Sequence, residues 1–186
     1  MKRNMAVKRL VLNAVLIALY VLLGLMKIPI GNLLRINLAS FAVVVCAVMF
    51  SPVDGLIVGF LGEFLSQILG PYGLTPTTLL WALPEAVRGG LLGLLMLIFT
   101  RKQLYAPQLL KSWKIVWYLL CSCCIGVIAS GVNTFALYVD SKMFGYYNEY
   151  MVFGVLVVRM TVAAVMSGVF GYIALHIVSA LRRNNL

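Results

Sequence analysis

The sequence predicts an all-α, polytopic membrane protein of six transmembrane helices with both termini cytoplasmic. Three observations carry that prediction. The chain is 63% hydrophobic and only 11% charged, against about 45–50% and about 25% in ordinary soluble domains. Its mean hydropathy of +1.03 leaves nearly every helix-length segment apolar on all faces, which points to lipid as the solvent. The basic residues, finally, gather mainly at the segment ends of one side of the membrane. A span needs about 20 residues to cross about 30 Å of hydrocarbon, so the chain accommodates at most about seven spans with short loops. It is expected to be one six-helix membrane domain over residues 1–186, without a second, soluble domain.

Span one runs from about Lys8 to Met26 and is broken by Pro29 and Gly31. It is too long for an ordinary signal-peptide core and lacks a small-residue cleavage site before Lys27. Span two, about Leu38 to Phe50, is short, and Ser51-Pro52-Val53-Asp54 turns the chain straight into span three, about Gly55 to Leu69. Gly70-Pro71-Tyr72-Gly73 begins a loop. Span four, about Thr78 to Phe99, carries Pro84, Glu85 and Arg88 in its outer half, and a polar connector from Arg101 to Lys114 follows. Spans five and six, about Ile115 to Val139 and about Tyr150 to Leu181, are separated by the segment from Asp140 to Glu149.

The charge count sets the orientation. With the amino terminus inside, the inner side collects Lys2, Arg3, Lys8, Arg9, Arg101, Lys102, Lys111, Lys114, Arg182 and Arg183, while the outer side holds only Lys27, Arg35 and Lys142. Cytoplasmic loops carry the excess of Lys and Arg, so an even number of spans satisfies the sequence. The same distribution explains the net charge of +10 as contact with an anionic leaflet rather than with nucleic acid.

Several functions are excluded. There is no Gly-x-x-x-x-Gly-Lys-Ser/Thr phosphate loop, no His-Glu-x-x-His and no Gly-x-Ser-x-Gly, and the single His176, near the inner end of span six, leaves no triad chemistry. Cys46, Cys121, Cys123 and Cys124 lie in apolar stretches without other ligands at metal spacing, and read as packing residues. Neither a metal nor a cofactor is expected.

Polar groups inside a membrane are costly and mark sites or partners. Glu63 shares a helix face with Ser66 and Gln67. Two readings stand open: a polar strip toward a pocket, or a carboxylate buried against Arg159 or a backbone group. Glu85 and Arg88 are placed to pair with each other, Pro84 frees a carbonyl at that depth, and Trp81 stands one turn earlier as an aromatic plate suited to a flat heterocycle. Arg35 and Asn37 in the first outer loop offer a fork for a carboxylate or phosphate. Tyr72, Thr75, Thr77, Thr78, Asn133, Tyr138, Tyr146 and Tyr147 complete a possible ring on the outer side. Small residues recur at helical spacing as Ala14 and Ala18, Gly55 and Gly59, Gly89 and Gly93, and Gly126 and Ser130, which marks close helix contacts.

These features together resemble the substrate-binding S components of energy-coupling factor (ECF) transporters, over nearly the whole chain. Asn13-Ala14-Val-Leu-Ile-Ala18 looks like that family's Ala-x-x-x-Ala docking motif. Arg35, Asn37, Pro52, Gly55, Glu63 and Tyr72 stand in an order similar to the folate-type branch, with Ser51 where that branch has Gly and Glu63 where it has Asp. The resemblance implies a vitamin-binding subunit, not an enzyme, in a prokaryotic cytoplasmic membrane. A B-type vitamin such as folate is the ligand it suggests; the alternative is another vitamin or heterocycle, riboflavin, pantothenate, thiamine or a queuosine precursor. It implies partners as well, a transmembrane coupling subunit docked on Ala14 and Ala18 and two separate ATPase subunits. Arg35, Asn37, Glu63, Gln67, Tyr72, Trp81, Glu85, Arg88, Asn133 and Arg159 are the expected pocket residues, the last five on the polar-residue argument alone. A small membrane enzyme, or a scaffold whose intramembrane charges are structural, is the rival reading.

Overall fold

The computed structural model describes residues 2–26, 28–30, 34–71, 73–101 and 106–183. In chain order the elements are α1 (Lys2–Leu25), β1 (Ile28–Ile30), β2 (Leu34–Ile36), α2 (Ser40–Met49), α3 (Pro52–Ile68), α4 (Thr78–Arg101), α5 (Ala106–Leu110), α6 (Ile115–Met143), a π turn (Tyr150–Gly154) and α7 (Leu156–Arg183). A helix stands at each of the six expected spans. Four segments, Val7–Leu25, Thr78–Arg101, Ile115–Met143 and Tyr150–Leu181, are long and apolar enough to cross a bilayer. At 10 residues, α2 covers about 15 Å, half the hydrocarbon thickness. It is enclosed by protein instead: Ala42, Val43, Val44 and Cys46 are fully buried.

The structure departs from the sequence expectation at the segment ends. The loop after span one is an antiparallel hairpin pairing Ile28 with Ile36 and Ile30 with Leu34. The polar connector holds α5, whose Ala106 and Leu109 are buried in the core. Span five continues as helix past Val139, so Asp140 and Ser141 are buried helix residues and not the start of a loop. Ser51 caps α3, accepting from the Asp54 N–H, with Pro52 in the first turn where its missing N–H costs nothing.

Small residues bring the backbones together. A Cβ on Gly55 would stand 2.5 Å from the Gly89 carbonyl oxygen, and one on Gly93 2.5 Å from Pro52 Cα, so α3 and α4 touch along their glycines. Gly126 meets Ala163 and Ser167 in the same way, and Ser122 and Ser167 exchange hydroxyl-to-carbonyl hydrogen bonds of 2.9 and 2.7 Å between α6 and α7. Gly62 receives the ring of Tyr20, which fixes α1 on α3. These contacts make the Gly pairs internal. Ala14 and Ala18 differ: both are exposed on α1, among Leu10, Val11, Val15 and Leu22.

Candidate functional site

The first group of polar side chains lies among α1, α2, α3 and α4. Glu63 and Gln67, one turn apart on α3, share a face, and Gln67 Nε2 donates to Glu63 Oε1 at 2.6 Å. The other carboxylate oxygen accepts from the Tyr20 hydroxyl at 2.5 Å. On α4, Arg88 Nη1 donates to Glu85 Oε1 at 2.8 Å, and Ser40 Oγ at the start of α2 donates to the same oxygen at 2.8 Å. Tyr20 thereby ties α1 to the carboxylate on α3. The close approach of Gly59 to the Glu85 backbone holds the two helices in this register.

Two atoms in this group have no partner among the described residues, Glu85 Oε2 and Arg88 Nε, and both are buried. A buried polar group left unmade costs about 1–3 kcal/mol, more when charged. Such a pair therefore has capacity to satisfy one donor and one acceptor of an incoming molecule. The Glu85–Arg88 pair is charge-balanced, with side chains only 10% and 13% exposed, so what it offers is hydrogen bonding in low dielectric rather than a free charge. Trp81 is half-buried on the turn of α4 before Glu85.

Asn133 and Arg159 belong to the other half of the bundle. Asn133 is half-buried on α6. Arg159 donates to the Met151 carbonyl, bridging α7 and the π turn, while the partners of Glu63 described above are Tyr20 and Gln67. Asn37 accepts from the Ala39 N–H at 3.0 Å, a local turn that leads into α2. Arg35 is placed on β2 opposite Pro29; its side chain, and Tyr72 altogether, lie outside the described residues.

Two further polar clusters sit at the ends of the bundle. On the hairpin-facing side, buried Asp140 accepts from Thr77 before α4 and from Tyr146 after α6. Beside it Lys142 Nζ lies 3.9 Å from the centre of the Tyr147 ring, and Tyr138 meets the same ring edge-on at 5.7 Å. An open, almost wholly apolar cleft of about 500 Å³ between α3, α4 and α6 adjoins Thr77, and none of the eight expected pocket residues whose side chains are described lines it. At the opposite end, Arg9 pairs with Asp54, which also accepts from Asn13 at 2.9 Å and Ser51 at 2.6 Å.

Sequence reasoning missed Tyr20, Ser40 and Asp140 as members of polar clusters. The signal for Tyr20 was available: a phenol midway along an apolar span needs a hydrogen-bond partner when buried. Ser40 and Asp140 carry no such signal, because both stand at expected segment ends where water would serve them.

Residues 4–183 match the family model described as ECF-type riboflavin transporter, S component. No curated protein matches the chain.

Proposed function

The chain belongs to the ECF-type riboflavin transporter S component family, and from that membership we propose that it captures a flat heterocyclic vitamin, riboflavin first, in a pocket that includes the Glu85–Arg88 group. S components are substrate-binding subunits of membrane transporters and not enzymes; they work with a coupling T component and ATPases. The observation that carries the ligand reading is the orphaned pair Glu85 Oε2 and Arg88 Nε, one acceptor beside one donor in a buried, charge-balanced site. Riboflavin is neutral, with a ring that presents both donors and acceptors and a polyhydroxyl chain. It matches such a site without importing charge. Trp81, one turn from Glu85, would offer its face to the ring, and Asn133 and Arg159 would contribute from α6 and α7.

Folate is the second reading, favoured by the order of Arg35, Pro52, Gly55 and Glu63 along the chain. Its glutamate tail is dianionic and calls for uncompensated cations. Arg88 is already neutralised by Glu85, and this, with the description of the matching family, favours riboflavin. The exposed pair Ala14 and Ala18 would form the notch into which the coupling subunit packs, in a prokaryotic cytoplasmic membrane with both termini inside.

The test is a thermal-shift screen of the detergent-purified chain against riboflavin, folate, pantothenate and thiamine. A ligand at a hundred times its dissociation constant adds about 2.7 kcal/mol of stability. A shift with riboflavin alone supports the proposal; a shift with folate alone replaces the ligand and keeps the function. The absence of a shift with any of the four sinks both ligand readings.

A further inference from the structure

Helix α1 faces two ways. Tyr20 is fully buried and donates its hydroxyl to Glu63, while Ala18, two residues earlier, is exposed. At 3.6 residues per turn, positions two apart point about 160° away from each other. The residue that reaches the polar group and the residues proposed to meet the coupling subunit are therefore carried on opposite sides of one helix. A helix turns as a unit, so the seat of Tyr20 fixes the direction in which Ala14 and Ala18 look.

That seat is specific. The Tyr20 ring lies on Gly62, where a Cβ would come within 2.7 Å of it, and the neighbouring residue on α3 is Glu63 itself. Gly24, one turn further along α1, meets Ser66 at 3.0 Å in the same way. The Glu63 carboxylate is shared, with Tyr20 on one oxygen and Gln67 on the other. A molecule that donates a hydrogen bond to this carboxylate, or shifts Gln67, competes with or tightens the bond that holds α1. The inner end of α1 is held separately by Arg9 and Asn13 on Asp54, so a change at Tyr20 would swing the middle of α1 about a fixed inner end.

We propose that Tyr20 is the positioning residue that couples occupancy of the vitamin pocket to the docking face of α1, through its hydrogen bond to Glu63. The inference rests on the binding-subunit reading above and adds to it a route from ligand to partner. Coupling of this kind is reciprocal: docking must change ligand affinity by the same factor as the ligand changes docking.

The experiment uses the full chain in lipid nanodiscs, titrated with the coupling-subunit and ATPase complex of the same organism, with and without saturating riboflavin. Couplings of this sort amount to about 5–150-fold in affinity, so riboflavin is expected to change docking affinity of the unaltered protein by at least about fivefold. Tyr20→Phe removes one hydroxyl and keeps the ring on Gly62. At riboflavin concentrations that saturate the variant, it should show a ligand effect on docking below about twofold. Arg9→Ala, which loosens the same helix at its inner end, controls for nonspecific weakening and should retain the riboflavin dependence. If Tyr20→Phe, saturated with riboflavin, keeps the full ligand effect, the coupling role is overturned and the binding-subunit reading stands. A ligand effect lost equally in Arg9→Ala also overturns it, since any loosening of α1 would then suffice. Failure of the unaltered protein to bind riboflavin or any other vitamin of the screen removes both.

Discussion

Gly55 and Gly89 put the backbones of α3 and α4 in contact, each meeting the carbonyl of the other across the helix interface. That contact sets the spacing on which the polar group depends, since Gly59 and Glu85 lie one turn toward the hairpin side of it. Glu63 and Glu85 are carried on closely apposed helices because nothing larger than hydrogen separates the backbones at these glycines.

Gly89→Ala is therefore expected to destabilise the protein by about 1–3 kcal/mol, the usual cost of overpacking. Gly90→Ala is the contrast: the nearest atom to its Cβ would be Leu56 Cδ1 at 3.7 Å, ordinary contact, and its effect should stay within about 0.5 kcal/mol. Denaturation of the two variants in the same detergent checks the difference. Equal effects would mean that the glycine contact is not what joins α3 to α4.

Removing one member of the Glu85–Arg88 pair leaves a buried charge alone, which costs about 3–5 kcal/mol. Glu85→Gln and Arg88→Met should each show a large loss of thermal stability. The double variant should recover much of it. Riboflavin affinity tells a second story, because the double variant loses the Arg88 donor and exchanges the carboxylate for an amide, and should bind at least about tenfold more weakly, the equivalent of about 1.4 kcal/mol. Normal affinity in a folded double variant would remove Glu85 and Arg88 from the pocket.

On the outside of α1, Ala14→Trp or Ala18→Trp fills the notch without touching buried residues. Uptake in cells should fall to background while riboflavin binding by the purified chain is unchanged. Normal uptake in both would show that the coupling subunit docks elsewhere.

Asp140 ties the segment before α4 to the segment after α6 through Thr77 and Tyr146. Hydrogen bonds to a charged group contribute about 1.5–3 kcal/mol each, so Asp140→Ala should speed amide hydrogen exchange over residues 73–77 and 144–149 by about tenfold or more. Exchange unchanged in both segments would mean that other contacts hold them.

The sequence by itself determined the membrane class, the helix at each of six places and the pairing of Glu85 with Arg88. Each is a local property: apolar length against a fixed bilayer thickness, or two side chains one turn apart on the same helix. Tertiary structure alone decided that α2 is an enclosed core helix, because a run of ten apolar residues reads the same whether protein or lipid surrounds it. It alone separated the glycine pairs, which pack inward, from Ala14 and Ala18, which do not, since all share one spacing. And it alone joined Tyr20 to Glu63 and Ser40 to Glu85: these partners are 43 and 45 residues apart in the chain, and no periodicity reaches that far.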